Sequence, residues 1–393
     1  MPLHSPATPP RAEDPIPHGI FIGHNVTGCV KDETRTWQVF KAILDKLQYE
    51  RTLQMHHSEK PFNQQLIAVE RLAKRSLCLW DIPEDAKLKL INVSENITFL
   101  IEASNDFKAI LRVHRENYHT RCAIESELAW IDALSQDNVI TTPPYYLGKN
   151  GFALQSISNP ELDAPRFLVL FHFLPGRAPE EIGNLTAEFK ALGAIAAKCH
   201  LHVMTWEKPT AFERLTWDVE TVFGTKPTWG NWRDAPGVSA KVQQTLETVE
   251  NHIRHRLEIY GKAKNRYNLI HADMRLANLL VDQNGIRVID FDDCGYGWFM
   301  YDFAAAISFV EDDPRIPECK SAWLEGYQTQ RRLSAEDIQE IDTFVMLRRM
   351  ALLAWIGSHM EAPEPQALAP DFATNTEKLG EAWLRAEGVR RPD

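Results

Sequence analysis

Four polar residues stand at short, fixed spacings in the second half of the chain. Residues 269–278 read LIHADMRLAN and contain His271, Asp273 and Asn278; twelve positions later Asp290 follows within VIDFDDCGYGW. A carboxylate beside a hydroxyl group can orient it and accept its proton, and amide and carboxylate oxygens suit Mg²⁺. The set indicates a phosphoryl-transfer site, and the alternative is a polar loop whose side chains cap turns.

The sequence between these residues predicts how they are brought together. LLVDQNGIRVID joins Asn278 to Asp290 and is typical of a β-hairpin with Asn284-Gly285 as its turn. A hairpin returns the chain to its starting point, so the two oxygen-bearing side chains are expected in one site.

The first half of the chain predicts a helix followed by an antiparallel sheet. Residues 35–80 are helical in pattern, and the runs LKLINV, ITFLIEA and KAILRVHR follow as strands separated by short polar turns. A helix is predicted in TRCAIESELAWIDALSQD, and two more strands near YYLGKNG and RFLVLFHF. The expected result is a five-stranded sheet interrupted by one helix.

A break at LPGRAPEE, residues 174–181, separates this sheet from a mainly helical half. Helices are predicted over 185–204 and 239–260, the second with Ser239 as N-cap and Gly261 as its stop, and Ser334 with Asp337 predicts another helix start. The fold class is therefore α+β with two lobes. The predicted divisions are a disordered arm (1–18), a helical extension (19–84), a sheet lobe (85–173) and a helical lobe (174–393).

Composition restricts the class of protein. A length of 393 residues suits two lobes, and a net charge of −11 argues against general binding to nucleic acid or anionic membranes. No apolar run is long enough to span a bilayer, and the proline-rich N-terminus lacks the apolar core of a signal peptide. Six cysteines without a CxxC pair fit a reducing compartment. The predicted location is cytoplasmic.

The H-x-D-x-x-x-x-N pattern followed by an aspartate resembles the protein-kinase-like phosphotransferases, most closely the aminoglycoside phosphotransferase/choline kinase family. IDFDDCGYGWFMYDFA resembles a bacterial branch of it, and the resemblance covers roughly residues 90–310. It implies a two-lobed kinase fold and ATP-dependent transfer of the γ-phosphate to a hydroxyl group of a small molecule, with Mg²⁺ and ATP as cofactors. It assigns catalysis to Asp273, metal binding to Asn278 and Asp290, and loop support to His271 and Asp302.

The resemblance also implies a nucleotide site on the sheet lobe. Arg112 stands where the commonest pattern has a lysine, and Glu127, preferred over Glu125, is its predicted partner. VSENITF replaces a glycine-rich phosphate loop and offers Ser94 and Thr98. In LFHFLPG, the backbone groups of His172 and Leu174 are predicted to contact adenine.

Several points stay open at the level of sequence. Asp292 and Asp293 either reach metal or substrate or cap a turn, and Trp217, Trp229 and Trp232 either line an acceptor pocket or pack an insert. The acceptor is an amino alcohol, amino acid, sugar or aminoglycoside; nucleotide preference and oligomeric state are undetermined. One alternative function is a bacterial stress-type Ser/Thr protein kinase, although no eukaryotic activation segment is seen. Another is a pseudokinase binding module, against which the intact Asp273, Asn278 and Asp290 argue.

Overall fold

The computed structural model describes residues 60–93, 96–177, 185–282 and 285–389, all within one structural unit, Glu59–Asp393. The helices are Lys60–Ser76 (α1), Arg121–Gln136 (α2), Leu185–Thr205 (α3), Val219–Phe223 (α4), Ala240–Tyr260 (α5), Tyr301–Ala306 (α6), Ile316–Gln328 (α7), Ala335–Gln339 (α8), Ile341–Ser358 (α9) and Pro363–Ala386 (α10). The strands are Lys87–Val93 (β1), Asn96–Glu102 (β2), Lys108–His114 (β3), Gln155–Ile157 (β4), Arg166–His172 (β5), Leu215–Trp217 (β6), Tyr267–Ile270 (β7), Leu279–Asp282 (β8), Gly285–Val288 (β9) and Gly295–Trp298 (β10). The predicted N-terminal arm and the part of the predicted extension before residue 60 lie outside the described residues.

The first five strands form one antiparallel sheet in the order β1-β2-β3-β5-β4. Alternate residues of β3, including Leu111 and Val113, pack into a buried cluster with Leu72 of α1 and with Trp80. Successive side chains of a strand point to opposite faces of the sheet, so these alternate residues of β3 share the face that packs against α1. The five-stranded sheet predicted from the sequence is confirmed.

One strand of this sheet was predicted in the wrong place. YYLGKNG contributes only an isolated bridge between Tyr145 and Phe171, and β4 forms later, at Gln155–Ile157. The chain turns instead at Gly151, which has a φ of 82°. That left-handed conformation favours glycine and ends the extended segment.

Helix α2 connects the sheet with the rest of the molecule. Its residues Ile124, Leu128 and Ile131 are buried in the same apolar cluster as Val169 and Phe171 of β5. A side chain on this helix can therefore reach the inner face of the sheet and the loops of the second lobe.

The second lobe is mainly helical, as predicted. Ser239 caps the start of helix α5, where its hydroxyl accepts from Val242 N–H, and Gly261 follows the last residue with a φ of 68°. Helices α3 and α7 cross so closely at Gly326 that a Cβ atom there would overlap the Lys190 carbonyl. The α+β architecture is confirmed. Among the described residues, no helix has the length and apolar character needed to cross a membrane.

Two small sheets carry the loops of the second lobe. Strand β10 lies between β6 and β7, and β8 pairs with β9 in a hairpin whose register places Asp282 opposite Gly285. The predicted hairpin is confirmed, with Asn284 outside the described residues. The loop from β7 to β8 and the segment after β9 therefore lie side by side.

Candidate active site

The loop between β7 and β8 holds Asp273 by both carboxylate oxygens. Oδ2 accepts from Asn278 Nδ2 at 2.7 Å, and Oδ1 accepts from Arg348 Nη2 at 2.8 Å. The same Asn278 nitrogen donates to the Asp273 carbonyl at 2.9 Å. The Asp273 side chain is 15% exposed. Its carboxylate is thus fixed in orientation while part of it remains accessible.

Asp302 supports this loop from beneath, as predicted. It lies in the first turn of α6 and is buried; its Oδ1 accepts from Ala272 N–H at 2.7 Å and its Oδ2 from His271 N–H at 3.4 Å. Ala272 has a φ of 64°. A left-handed alanine costs of order 1 kcal/mol, and the bond from Asp302 helps to hold it.

Two buried histidines complete the support. His200 Nε2 lies 2.8 Å from Asp302 Oδ2, and His200 Nδ1 lies 2.9 Å from the Tyr327 hydroxyl. His271 Nδ1 accepts from Asp273 N–H at 3.3 Å, which leaves its Nε2 to donate to the Ile289 carbonyl, also at 3.3 Å. Burial lowers the pKa of both histidines, which favours their neutral forms. His271 therefore ties the loop to the segment that carries Asp290.

We expect Asp302→Ala to lower thermal stability and activity together. The substitution leaves two backbone N–H groups and His200 without their acceptor, and each unpaired buried donor costs about 1–3 kcal/mol. Melting curves with and without Mg·ATP measure the effect, and extra Mg²⁺ should not restore it. Asp342→Ala is the control, because Asp342 is 58% exposed and pairs only with Lys320 at the surface among the described residues. An Asp302→Ala protein that melts like the wild type would contradict this role.

Asp290 lies after β9 with a φ of 62° and a side chain that is 47% exposed. Its Oδ1 accepts from Arg112 Nη2 at 3.0 Å. Partial burial of the carboxylate raises the pKa of Asp290 to about 6. Arg112 opposes this rise, and Asp292, Asp273 and Glu127 reinforce it. Arg112 therefore offsets only part of what disfavours the ionised form of Asp290.

The donor set around Asp290 fits Mg²⁺. The side-chain nitrogen of Asn278 donates hydrogen bonds to Asp273, so the side-chain oxygen of Asn278 is the atom that could bind a metal. Among the described residues, no group of three His, Cys, Asp or Glu side chains could hold a metal by itself. Mg²⁺ suits such a site because it usually keeps one or two protein ligands and completes its shell with phosphates and water. Metal binding by Asn278 and Asp290 stays a prediction.

Arg112 connects the sheet lobe to the segment 290–292 that follows β9. Its Nη1 donates to Glu127 Oε1 at 2.7 Å and lies 3.5 Å from Asp292 Oδ1. Burial lowers the pKa of Arg112, but the carboxylates of Glu127, Asp290 and Asp292 outweigh burial and raise it. Glu125, the rejected alternative partner, instead pairs with Arg121 on the helix surface. The geometry thus brings Arg112 and Glu127 together as predicted.

The chain matches a known enzyme family over more than half of its length. Residues 87–338 match the model of the phosphotransferase enzyme family. The chain belongs to this family. It is an ATP-dependent kinase with the two-lobed kinase-like fold, and ATP with Mg²⁺ is its cofactor set.

Relatives of known structure and function agree with this assignment. A microcompartment-associated aminopropanol kinase is 41% identical, with 82% of this chain and 99% of that chain covered and a TM-score of 0.76. The amicoumacin kinase of Bacillus subtilis (strain 168) is 25% identical over 58% of this chain and 67% of that protein. Another amicoumacin kinase, solved with AMP-PNP and Ca²⁺, shares the fold with a TM-score of 0.65 at 22% identity, covering 79% of this chain and 93% of that chain.

The predicted nucleotide contacts of the phosphotransferase lie along the sheet. Thr98 is directly opposite Arg112 in the β2–β3 pairing, whereas Ser94 lies outside the described residues. The His172 N–H donates to the Pro144 carbonyl at 2.8 Å, and its ring stacks on Tyr146 with 3.8 Å between centroids. The His172 N–H is therefore already bonded within the protein, and the adenine contacts by His172 and Leu174 stay predictions.

The three tryptophans of the insert are buried, with relative exposures of 0%, 5% and 1% for Trp217, Trp229 and Trp232. Trp217 Nε1 donates to the Asp293 carbonyl at 2.7 Å, and Trp232 Nε1 donates to Glu250 Oε2 at 2.9 Å. The structure therefore favours packing for Trp217 and Trp232. Trp229 is buried too, but its ring lies against Arg348, which contacts Asp273.

The two aspartates after Asp290 have different surroundings. Asp292 is buried between Arg112, His114 and His119, with His119 Nε2 at 3.3 Å and His114 Nδ1 at 3.6 Å. The Asp293 carboxylate accepts from the Tyr118 hydroxyl at 2.7 Å. Both carboxylates therefore contact protein groups in the structure.

Three arginines at the site were missed by sequence reasoning. Arg275 Nε lies 3.5 Å from Asp273 Oδ2. Arg348 contacts Asp273, as described, and Arg214 donates to the carbonyls of Ala123, Cys294 and Asp292. Arg214 thereby joins the start of α2 to the segment 292–294. The signal for Arg348 was a pair of arginines inside the otherwise apolar run FVMLRRMALLAW.

Proposed function

We propose that the chain transfers the γ-phosphate of ATP to the hydroxyl group of a small amino alcohol of the aminopropanol type. The observation that carries the reaction type is the pairing of Asp273 with Asn278 beside Asp290. The acceptor class is supported by the aminopropanol kinase, which is 41% identical over nearly its full length.

In the proposed mechanism Asp273 accepts a hydrogen bond from the acceptor hydroxyl and aligns its oxygen with the γ-phosphorus. The new O–P bond forms as the bond to the β-phosphate oxygen breaks, ADP leaves, and the hydroxyl proton passes to Asp273. Asn278 and Asp290 are the residues that would hold Mg²⁺, which neutralises phosphate charge when bound. Arg112 adds a second positive charge on the sheet side, fixed by Glu127.

We expect the purified protein to release ADP fastest with 1-amino-2-propanol or a close amino alcohol. The panel should include ethanolamine, choline, threonine, homoserine, a hexose, an aminoglycoside and a generic protein substrate. Propan-2-ol is the matched control because it keeps the secondary hydroxyl and lacks the amine. A site that recognises the ammonium group should prefer the amino alcohol by at least about 10²-fold in kcat/KM.

The panel also separates this proposal from its alternatives. Turnover with the protein substrate alone would support a protein kinase, and preference for a sugar would contradict the acceptor class. Nucleotide binding without any acceptor-dependent ADP release would contradict catalysis and favour a binding module.

A further inference from the structure

We propose that Arg348 is a positioning residue that fixes the Asp273 carboxylate for the acceptor hydroxyl; this role rests on the phosphoryl transfer proposed for Asp273. Arg348 Nη2 donates to Asp273 Oδ1 at 2.8 Å, and its Nε donates to Ser308 Oγ at 3.0 Å. Its side chain is 3% exposed. Arg348 therefore approaches the carboxylate from within the helical lobe.

Aromatic faces hold the Arg348 guanidinium in place. Its central carbon lies 5.1 Å from the Trp229 ring centroid and 5.9 Å from that of Tyr301. Such faces attract a guanidinium group, and a buried charge is tolerated only when it is paired. Within the described residues, Asp273 supplies the one ion pair that Arg348 forms.

Arg349, the next residue in the helix, is also buried, but its contacts are structural. Arg349 has a side-chain exposure of 5%, donates to Glu311 Oε2 at 2.5 Å and to Thr376 Oγ1 at 2.9 Å, and lies 3.6 Å from the Phe372 ring centroid. None of these partners belongs to the site. The two arginines share a helix, a residue type and nearly the same burial, but only Arg348 contacts Asp273.

The contact with Arg348 fixes the orientation of the Asp273 carboxylate. The terminal torsion of an aspartate is otherwise broad, so its carboxylate plane needs external contacts to be fixed. Asn278 holds one oxygen and Arg348 the other, so the group cannot rotate without breaking a charge-assisted hydrogen bond. A displacement of about 1 Å in a positioning group can cost about 10²-fold in rate.

The test compares Arg348→Met, Arg348→Lys and Arg349→Met with the wild type, using the best acceptor of the panel. We expect kcat to fall about 100-fold in Arg348→Met and about tenfold in Arg348→Lys, which restores one charged donor, while KM for ATP stays within about threefold. Arg349→Met should lower the melting temperature and keep kcat within about threefold.

Three results would overturn the role of Arg348. The first is a folded Arg348→Met protein whose kcat lies within about threefold of the wild-type value. If Arg348→Met does not fold, an unchanged kcat in Arg348→Lys would contradict the role equally. The second is an equal loss of kcat in Arg349→Met at an equal shift in melting temperature, which indicates general destabilisation. The third is a wild type inactive with every acceptor, which contradicts the proposed function itself. If the wild type prefers an acceptor other than an amino alcohol, the variants can still be compared using that acceptor.

Discussion

Asp273→Asn should remove most turnover and leave nucleotide binding nearly intact. The amide cannot take up the proton of the acceptor hydroxyl, and loss of such a group typically costs about 10²–10⁴ in rate. In the wild type both carboxylate oxygens of residue 273 accept hydrogen bonds, one from Asn278 Nδ2 and one from Arg348 Nη2. The asparagine side chain replaces one of these oxygens with an NH₂ group, which would face a donor and could not accept its hydrogen bond. The acceptor hydroxyl would lose both its orientation and its proton acceptor.

Calorimetric titration with Mg·ATP measures nucleotide binding by Asp273→Asn, and steady-state ADP release measures its turnover. The nucleotide dissociation constant should stay within about threefold while kcat falls, because Asp273 acts on the acceptor. Asp342→Asn, on the exposed surface, is the matched control. An Asp273→Asn enzyme with wild-type kcat would remove the catalytic assignment and with it the role given to Arg348.

The features that the sequence predicted correctly are those set by neighbouring residues. Ser239 and Gly261 mark the ends of one helix, and the hairpin after Asn278 follows from a turn between two short strands. The contact between Asp273 and Asn278 is equally local, because the two residues are five positions apart and bond directly. Even the choice of Glu127 over Glu125 follows from which side of a helix faces the sheet.

The features that the sequence did not predict depend on contacts between distant segments. Arg348 is separated from Asp273 by 75 residues, so no spacing rule connects the two. Pairing of the His172 N–H with Pro144 depends on how the chain returns along the sheet edge, and the displaced strand β4 belongs to the same region. Burial of the three tryptophans is likewise decided by helices that follow them in sequence.

Asp290→Ala should abolish Mg²⁺-dependent turnover while the protein stays folded. Asp290 is half exposed and pairs with Arg112, so its removal leaves no cavity in the core. Partial burial raises the pKa of Asp290 to about 6, which means that folding disfavours its ionised form. An aspartate with a raised folded-state pKa costs stability above that pKa and costs none once it is protonated. The variant without metal should therefore melt at or above the wild-type temperature near pH 7.5, and the difference should shrink as the pH falls below 6.

Melting curves of Asp290→Ala and Asp302→Ala, each with and without Mg·ATP, distinguish a metal ligand from a structural carboxylate. The wild type should gain stability from Mg·ATP because a ligand that binds only the folded state raises its melting temperature. Asp290→Ala should lose that gain without melting early, whereas Asp302→Ala should melt early because Ala272 and His200 lose their acceptor. An early-melting Asp290→Ala, beside an Asp302→Ala that melts normally but no longer responds to the metal, would show that the two aspartates have exchanged roles.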